Sequence, residues 1–144
     1  MILDNFLVFS GAVAPASGAI TGQAVNGAGT FVSTNTLDLA PLALGGNQAV
    51  DEGQGEDLDV SISIVTAPTV GTSVQFQLIQ ADDAALTVNV EVISSSGVFP
   101  IAKLTAGQLV ELEYAIAAPL TPRRYIGVQY VNTGVIATAA YFAV

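Results

Sequence analysis

The chain has 144 residues, 12 of them acidic and 3 basic, for a net charge of −9. That length fits about one domain, with 1–144 read as one unit. The absence of cysteine excludes disulfides, thiol nucleophiles and thiolate metal sites, and the absence of histidine excludes Ser/His/Asp triads, histidine bases and imidazole ligands. Lys103, Arg123 and Arg124 are the only cations. They make no basic patch, so neither nucleic acid nor an anionic membrane is an expected partner, and no apolar run is long enough to span a bilayer.

Val and Ile total 28 and Thr adds 12, a branched-residue content that favours pleated surfaces. At the start, Met1-Ile2-Leu3-Asp4 lacks the basic residue of a secretory leader, so the chain is expected to act where it is made. Phe6 to Phe9 reads as a weak strand. Residues 10–30 are small, uncharged and Gly/Ala/Ser-rich, and read either as a flexible surface loop or as an arm that orders against a partner. Phe31 to Leu39 is a second weak strand.

Asp51, Glu52, Glu56, Asp57 and Asp59 form the densest acidic stretch. It could offer oxygens to Ca²⁺, but its spacing does not match an EF-hand loop, and a solvated loop is the plainer reading. No metal or cofactor is expected. Leu58 to Ile64 alternates apolar and polar residues, so Leu58, Val60, Ile62 and Ile64 share one face of a strand. Val74 to Leu78 and Val88 to Val92 repeat the pattern. Ala81 to Ala85 reads as a hairpin end whose Asp82-Asp83 pair bonds to nearby backbone rather than working as a catalytic carboxylate pair. Ser94-Ser95-Ser96-Gly97 reads as a turn. It lacks a nucleophile elbow and a base.

Leu104 to Gly107 can hold one short turn. Val110 to Tyr114 is a strand with Glu111 and Glu113 pointing away from the core. Tyr125 to Tyr130 and Ile136 to Val144 are two more strands, the latter apolar or small on both faces and so expected to be covered on both sides. The total is about eight strands at spacings that fit an all-β jelly roll, a two-sheet antiparallel β-sandwich. With 15 charged residues against the roughly 36 of an average domain this size, part of the surface is expected to lie against other protein, since interface centres are depleted in charge. Phe6, Phe9, Ile136, Tyr141 and Phe142 mark the strands expected to be covered by neighbours. Arg123, Arg124 and Lys103 are expected to supply polar docking contacts, with pairing to the chain's own carboxylates as the alternative for the two arginines.

Several segments in order carry a family resemblance. They are Met1-Ile2-Leu3-Asp4 with Phe9-Ser10, Ser33-Thr34-Asn35 with Leu37-Asp38-Leu39, Gly55-Glu56 with Leu58 and Val60, and Phe76-Gln77-Leu78 with Asp82-Asp83. Ser95-Ser96-Gly97 through Pro100-Ile101-Ala102, Leu104 with Ala106-Gly107, and Arg123-Arg124-Tyr125-Ile126-Gly127-Val128-Gln129-Tyr130 follow. Together they resemble the capsid cement (decoration) proteins of short-tailed phages, of the Bordetella phage type. The resemblance implies a jelly-roll structural protein on the outer surface of the virion capsid. There it would bind the major capsid protein at junctions between capsomers and strengthen an icosahedral head against packaged DNA. It also implies self-association, as a dimer or trimer at a local symmetry axis, and brings no catalytic residues. The chain is therefore expected not to be an enzyme. The rival reading is a carbohydrate-binding or adhesion jelly roll, which would need exposed aromatics from among Tyr114, Tyr125, Tyr130 and Tyr141.

Overall fold

Alternating apolar residues and frequent turn residues produce strands throughout the computed structural model, which describes residues 7–39, 58–115 and 120–144. In chain order the strands are β1 (Ala12–Val13), β2 (Ile20–Thr21), β3 (Gln23–Ala24), β4 (Gly27–Val32), β5 (Leu37–Asp38), β6 (Leu58–Thr69), β7 (Ser73–Ala81), β8 (Glu91–Pro100), β9 (Leu109–Tyr114), β10 (Tyr125–Ile136) and β11 (Thr138–Ala143). One 3-10 turn, Ile101–Lys103, links β8 to the segment before β9.

The pairing is nested. β3 pairs with β11, β4 with β10, β6 with β9 and β7 with β8, all antiparallel. Leaving aside β5 and the β1–β2 hairpin, the first strand pairs with the last, the second with the last but one, and so inward. Lateral pairing of β10 with β7 and of β11 with β6 rolls this ribbon into two sheets, β4-β10-β7-β8 and β3-β11-β6-β9. This is the jelly roll expected from the sequence. β5 adds to β10, and β1 and β2 form a separate hairpin.

The core lies between the sheets. Val74, Phe76 and Leu78 of β7 and Ile126, Val128 and Tyr130 of β10 face Val60, Ile62 and Ile64 of β6 and Val110, Leu112 and Tyr114 of β9. At its centre an aromatic cluster spans the gap. Tyr130 stacks on Tyr141 with ring centroids 5.1 Å apart and planes 25° apart, and Phe76 meets both edge-on. The Tyr130 hydroxyl bonds Ser10 Oγ at 2.7 Å, in the buried interior. The Tyr141 hydroxyl is also buried but has no hydrogen-bond partner among the described residues. Burial pushes both phenols above their ordinary range, and the Ser10 bond opposes that for Tyr130.

Several local expectations change. Val88 to Val90 are not strand, and β8 begins only at Glu91. Asp83 Oδ1 accepts the backbone N–H groups of Thr87 and Val88, each at 2.8 Å, while Leu86 and Asn89 adopt left-handed φ of 55° and 51°. These local bonds curl the stretch into a loop despite its alternation. Asp82-Asp83 thus acts on neighbouring backbone as expected. Ser94 to Gly97 is not a turn but lies within β8, where the register shifts opposite Gln75 and Gln77. Gly97 at φ +77° supplies the bulge, and Ser96 Oγ accepts the Phe76 N–H in place of a ladder carbonyl.

Residues 10–30, read as loop or arm, contribute β1 to β3 and most of β4. Of Phe31 to Leu39, only Phe31 and Val32 and the short β5 are strand. Ile136 ends β10, and β11 starts at Thr138, so the last strand is shorter than expected. Val8 and Phe9 are buried outside any strand. Phe6 and the acidic residues 51–57 lie outside the described residues.

The two core tyrosines give opposite expectations. Tyr130→Phe leaves a buried Ser10 hydroxyl without its partner and should cost about 1–2 kcal/mol of unfolding free energy in urea titration, whereas Tyr141→Phe removes an unpaired hydroxyl and should be neutral or stabilising. Equal losses from both would refute this account of the core.

Candidate functional site

The ionic groups that the sequence singles out are mostly committed within the chain. Arg123 forks onto Glu91, with Nε to Oε2 at 3.0 Å and Nη2 to Oε1 at 2.9 Å, and reaches Asp82 Oδ1 through Nη1 at 2.8 Å. The buried Gln80 completes the network. Its Nε2 donates to Glu91 and to the Thr121 carbonyl, and its Oε1 accepts the Arg123 N–H. Arg124 forks onto Asp38, both bonds at 2.9 Å, and its guanidinium lies 4.9 Å from the Tyr125 ring centre. Both guanidiniums are held above their ordinary range, chiefly by these carboxylate bonds. Pairing with the chain's own carboxylates is therefore the reading the structure supports for Arg123 and Arg124. Lys103 is exposed at the end of its 3-10 turn and forms no ion pair among the described residues.

The Arg123 network pins a clasp. Residues 82–90 fold back over the outside of β7 and β10, where Leu86 packs with Ile79 and Ala81, flanked by Val32 and Tyr125. Gly127 of β10 lies directly beneath, and a Cβ there would collide with the Leu86 side chain.

Four of the five residues expected to meet neighbours are buried within this chain. Phe9, Ile136, Tyr141 and Phe142 are all at most 5% exposed. Phe9 and Ser10 donate backbone N–H groups to the Ala143 carbonyl, and Phe142 lies beside Gly11, at the entry to the β1–β2 hairpin. The last strand is thus covered on both faces, but the cover in the structure comes from the chain's own N-terminal segment.

The outside of the sheet β4-β10-β7-β8 carries few ionic groups. Its outward positions form cross-strand rows. One runs Thr30, Val131, Gln75, Val98, and the next runs Val32, Gln129, Gln77, Ser95. Neither row contains a charge. Val98 is 64% exposed, and Val92 on β8 and Val88 and Val90 on the adjoining clasp are exposed too. The outer side of β6 and β9 is different, because Asp59 lies opposite Glu113 and Ser61 opposite Glu111. The charge-free face was readable strand by strand from the uncharged outward positions Gln75, Gln77 and Gln129, but only the pairing aligns them. Of the four tyrosines, Tyr114, Tyr130 and Tyr141 are buried and Tyr125 is half-covered, so they give no stacking platform for a sugar. Among the described residues no cluster of His, Cys, Asp and Glu could hold a metal ion, and no helix is long and apolar enough to cross a membrane.

The family model Bbp16 matches residues 19–144, most of the chain. The chain belongs to the Bbp16 family. This is a Bordetella phage protein family, and this chain folds as a jelly roll. Among curated proteins there is no match.

Asp82 is held below the ordinary carboxylate range by the Asn89 bond and then by Arg123, Asp83 by the Val88 N–H and then by Thr87, and Glu91 by Arg123 and then by Gln80. Carboxylates lowered in this way stabilise the folded state above their unfolded values, about pH 4, and lose that contribution as acid titrates through the lower folded values. The clasp should therefore loosen first below about pH 4, seen as faster amide exchange across 82–90. Arg123→Ala should loosen it at neutral pH as well. Unchanged exchange in that variant would remove the clasp assignment.

Proposed function

We propose that this Bbp16-family jelly roll is a capsid cement protein that binds the major capsid protein on the outside of the phage head, bridges neighbouring capsomers and stabilises the shell against packaged DNA. The charge-free outer face of β4-β10-β7-β8 carries this reading, on a chain from a phage family. A chain with a net charge of −9 that keeps exposed valines and uncharged polar groups along two cross-strand rows of one sheet has a surface suited to permanent cover by protein. Closed shells reward such a protein. One modest contact is weak, but symmetric copies act multivalently, and pulling two capsomers apart requires breaking every bridge between them. With Arg123 and Arg124 committed to the clasp and to Asp38, Lys103, which has no ion pair among the described residues, is the expected docking cation.

The purified chain should co-sediment with heads that lack it, and heads so supplemented should retain DNA to a higher temperature than bare heads. No binding to such heads, or clear hits on a glycan array instead, would overturn the assignment in favour of an adhesion role.

A further inference from the structure

Among the described residues, Val70, Leu86 and Asn89 are the non-glycine residues with left-handed φ, at 60°, 55° and 51°. Asparagine tolerates this region, whereas a bulky or β-branched side chain is strained in it. Leu86 has a return for its strain, because its side chain is buried under the clasp with Ile79 and Ala81. Val70 has no such return within the chain. It is 66% exposed, and asparagine or glycine would suit its backbone better. Backbone strain of this kind collects at binding and switch positions.

The surroundings of Val70 hold it rigidly. Residues 70–72 carry the chain from β6 in one sheet to β7 in the other, and the stretch around Val135 carries it from β10 to β11. The two crossings are hydrogen-bonded side by side. The Thr72 N–H donates to the Thr133 carbonyl at 2.8 Å and the Ala137 N–H to the Thr69 carbonyl at 2.9 Å. The Thr69 and Thr138 hydroxyls bond at 2.6 Å. Ile136 is buried, and a Cβ on Gly71 would collide with it. Val135 beside it is exposed to the same extent as Val70, and no other large apolar side chain among the described residues is more exposed than these two.

Charge narrows the occupant. Neither crossing contains a charged residue. The Thr72 carbonyl accepts the Ile101 N–H, so the 3-10 turn that ends in the exposed Lys103 abuts the same end of the sandwich. Lys103 has no ion pair among the described residues. Two apolar knobs with an open cation at their margin fit a protein recess that is apolar inside and carries a carboxylate at its rim. A lipid surface fits less well. The crossings have no Trp or Tyr to sit at a headgroup boundary, and a net charge of −9 is repelled by an anionic leaflet.

We propose that Val70 and Val135 form a rigid two-point anchor that inserts into an apolar, carboxylate-rimmed recess of the major capsid protein, with Lys103 paired to the rim. Valine is kept at position 70 because an apolar knob gains on docking what the backbone loses. The anchor rests on the cement reading for its partner. It lies at an end of the sandwich, outside the two uncharged rows.

Two measurements on the full chain test it: thermal unfolding of the free chain and co-sedimentation with heads that lack it. Val70→Asn relieves the strain and should raise the Tm by about 2 °C or more, yet weaken head binding at least about tenfold. A merely structural residue would not move the two in opposite directions. Val135→Asp should weaken binding by at least as much with unchanged circular dichroism. Lys103→Gln should weaken it less and reduce its dependence on salt. Because the chain has no cysteine, Val135→Cys gives a third readout, in which alkylation by iodoacetamide should be slower on heads than in free solution. If the wild type binds heads and the Val70 and Val135 variants bind as tightly, the anchor is overturned and the cement reading stands. Equal alkylation on heads and in solution overturns it too, as does a Val70→Asn chain no more stable than the wild type. A wild type that ignores heads overturns both readings, and binding to phosphatidylcholine vesicles in its place would assign the two valines to a lipid surface.

Discussion

The constraint that orders this molecule is the period-two alternation of β10. Its twelve residues pair with β4, β5 and β7. Side chains on a strand point alternately to opposite faces, so Ile126, Val128, Tyr130 and Asn132 enter the core while Tyr125, Gly127, Gln129 and Val131 face outward. The inward set places Tyr130 against Tyr141 of the other sheet and holds the two layers together. The outward set forms the middle of the charge-free face and the floor of the clasp. A register slip of one residue would exchange the two sets, so core and surface are specified by the same pairing.

Charge scarcity then becomes a matter of placement. Two of the three cations are spent where β10 begins, tying Asp38 to one side and Asp82 with Glu91 to the other. These pairs are partly exposed, at 23 to 49% of side-chain surface, and screened pairs of this kind add modestly to stability. Their larger effect is geometric, since Arg123 and Gln80 fix where the 82–90 clasp closes over Leu86. The remaining acidic groups among the described residues lie mostly on the outer side of β6 and β9, away from the uncharged face. One side of the sandwich is therefore suited to water and the other to protein.

Much of the fold could be read in the sequence because alternation and burial agree. Leu58 to Ile64, Val74 to Leu78 and Val110 to Tyr114 are strands, with Val60, Ile62 and Ile64 and the expected faces of the other two inward. Where they disagree, local chemistry decides. Val88 to Val92 alternates as well as any of these, yet Asp83 captures the Thr87 and Val88 N–H groups and keeps Val88 to Val90 out of the sheet. Ser94 to Gly97 has turn composition, but a single bulge at Gly97 absorbs it within β8. The interface residues were the least accessible to this reasoning. Phe9, Tyr141 and Phe142 are apolar for the reason most apolar residues are, because they are buried in their own fold.

Composition could indicate that a surface was short of charge, but not which one, because that depends on strands far apart in sequence. Thr30, Val131, Gln75 and Val98 become one row only through the pairings of β4 with β10, β10 with β7 and β7 with β8. The same long-range pairing explains why a jelly roll suits the proposed cement role. Nested strands leave two broad sheet faces on one small domain, each able to carry a different chemistry. A domain with one uncharged face and one acidic face offers two chemically distinct surfaces, which is what the proposed bridge between capsomers would require of each copy.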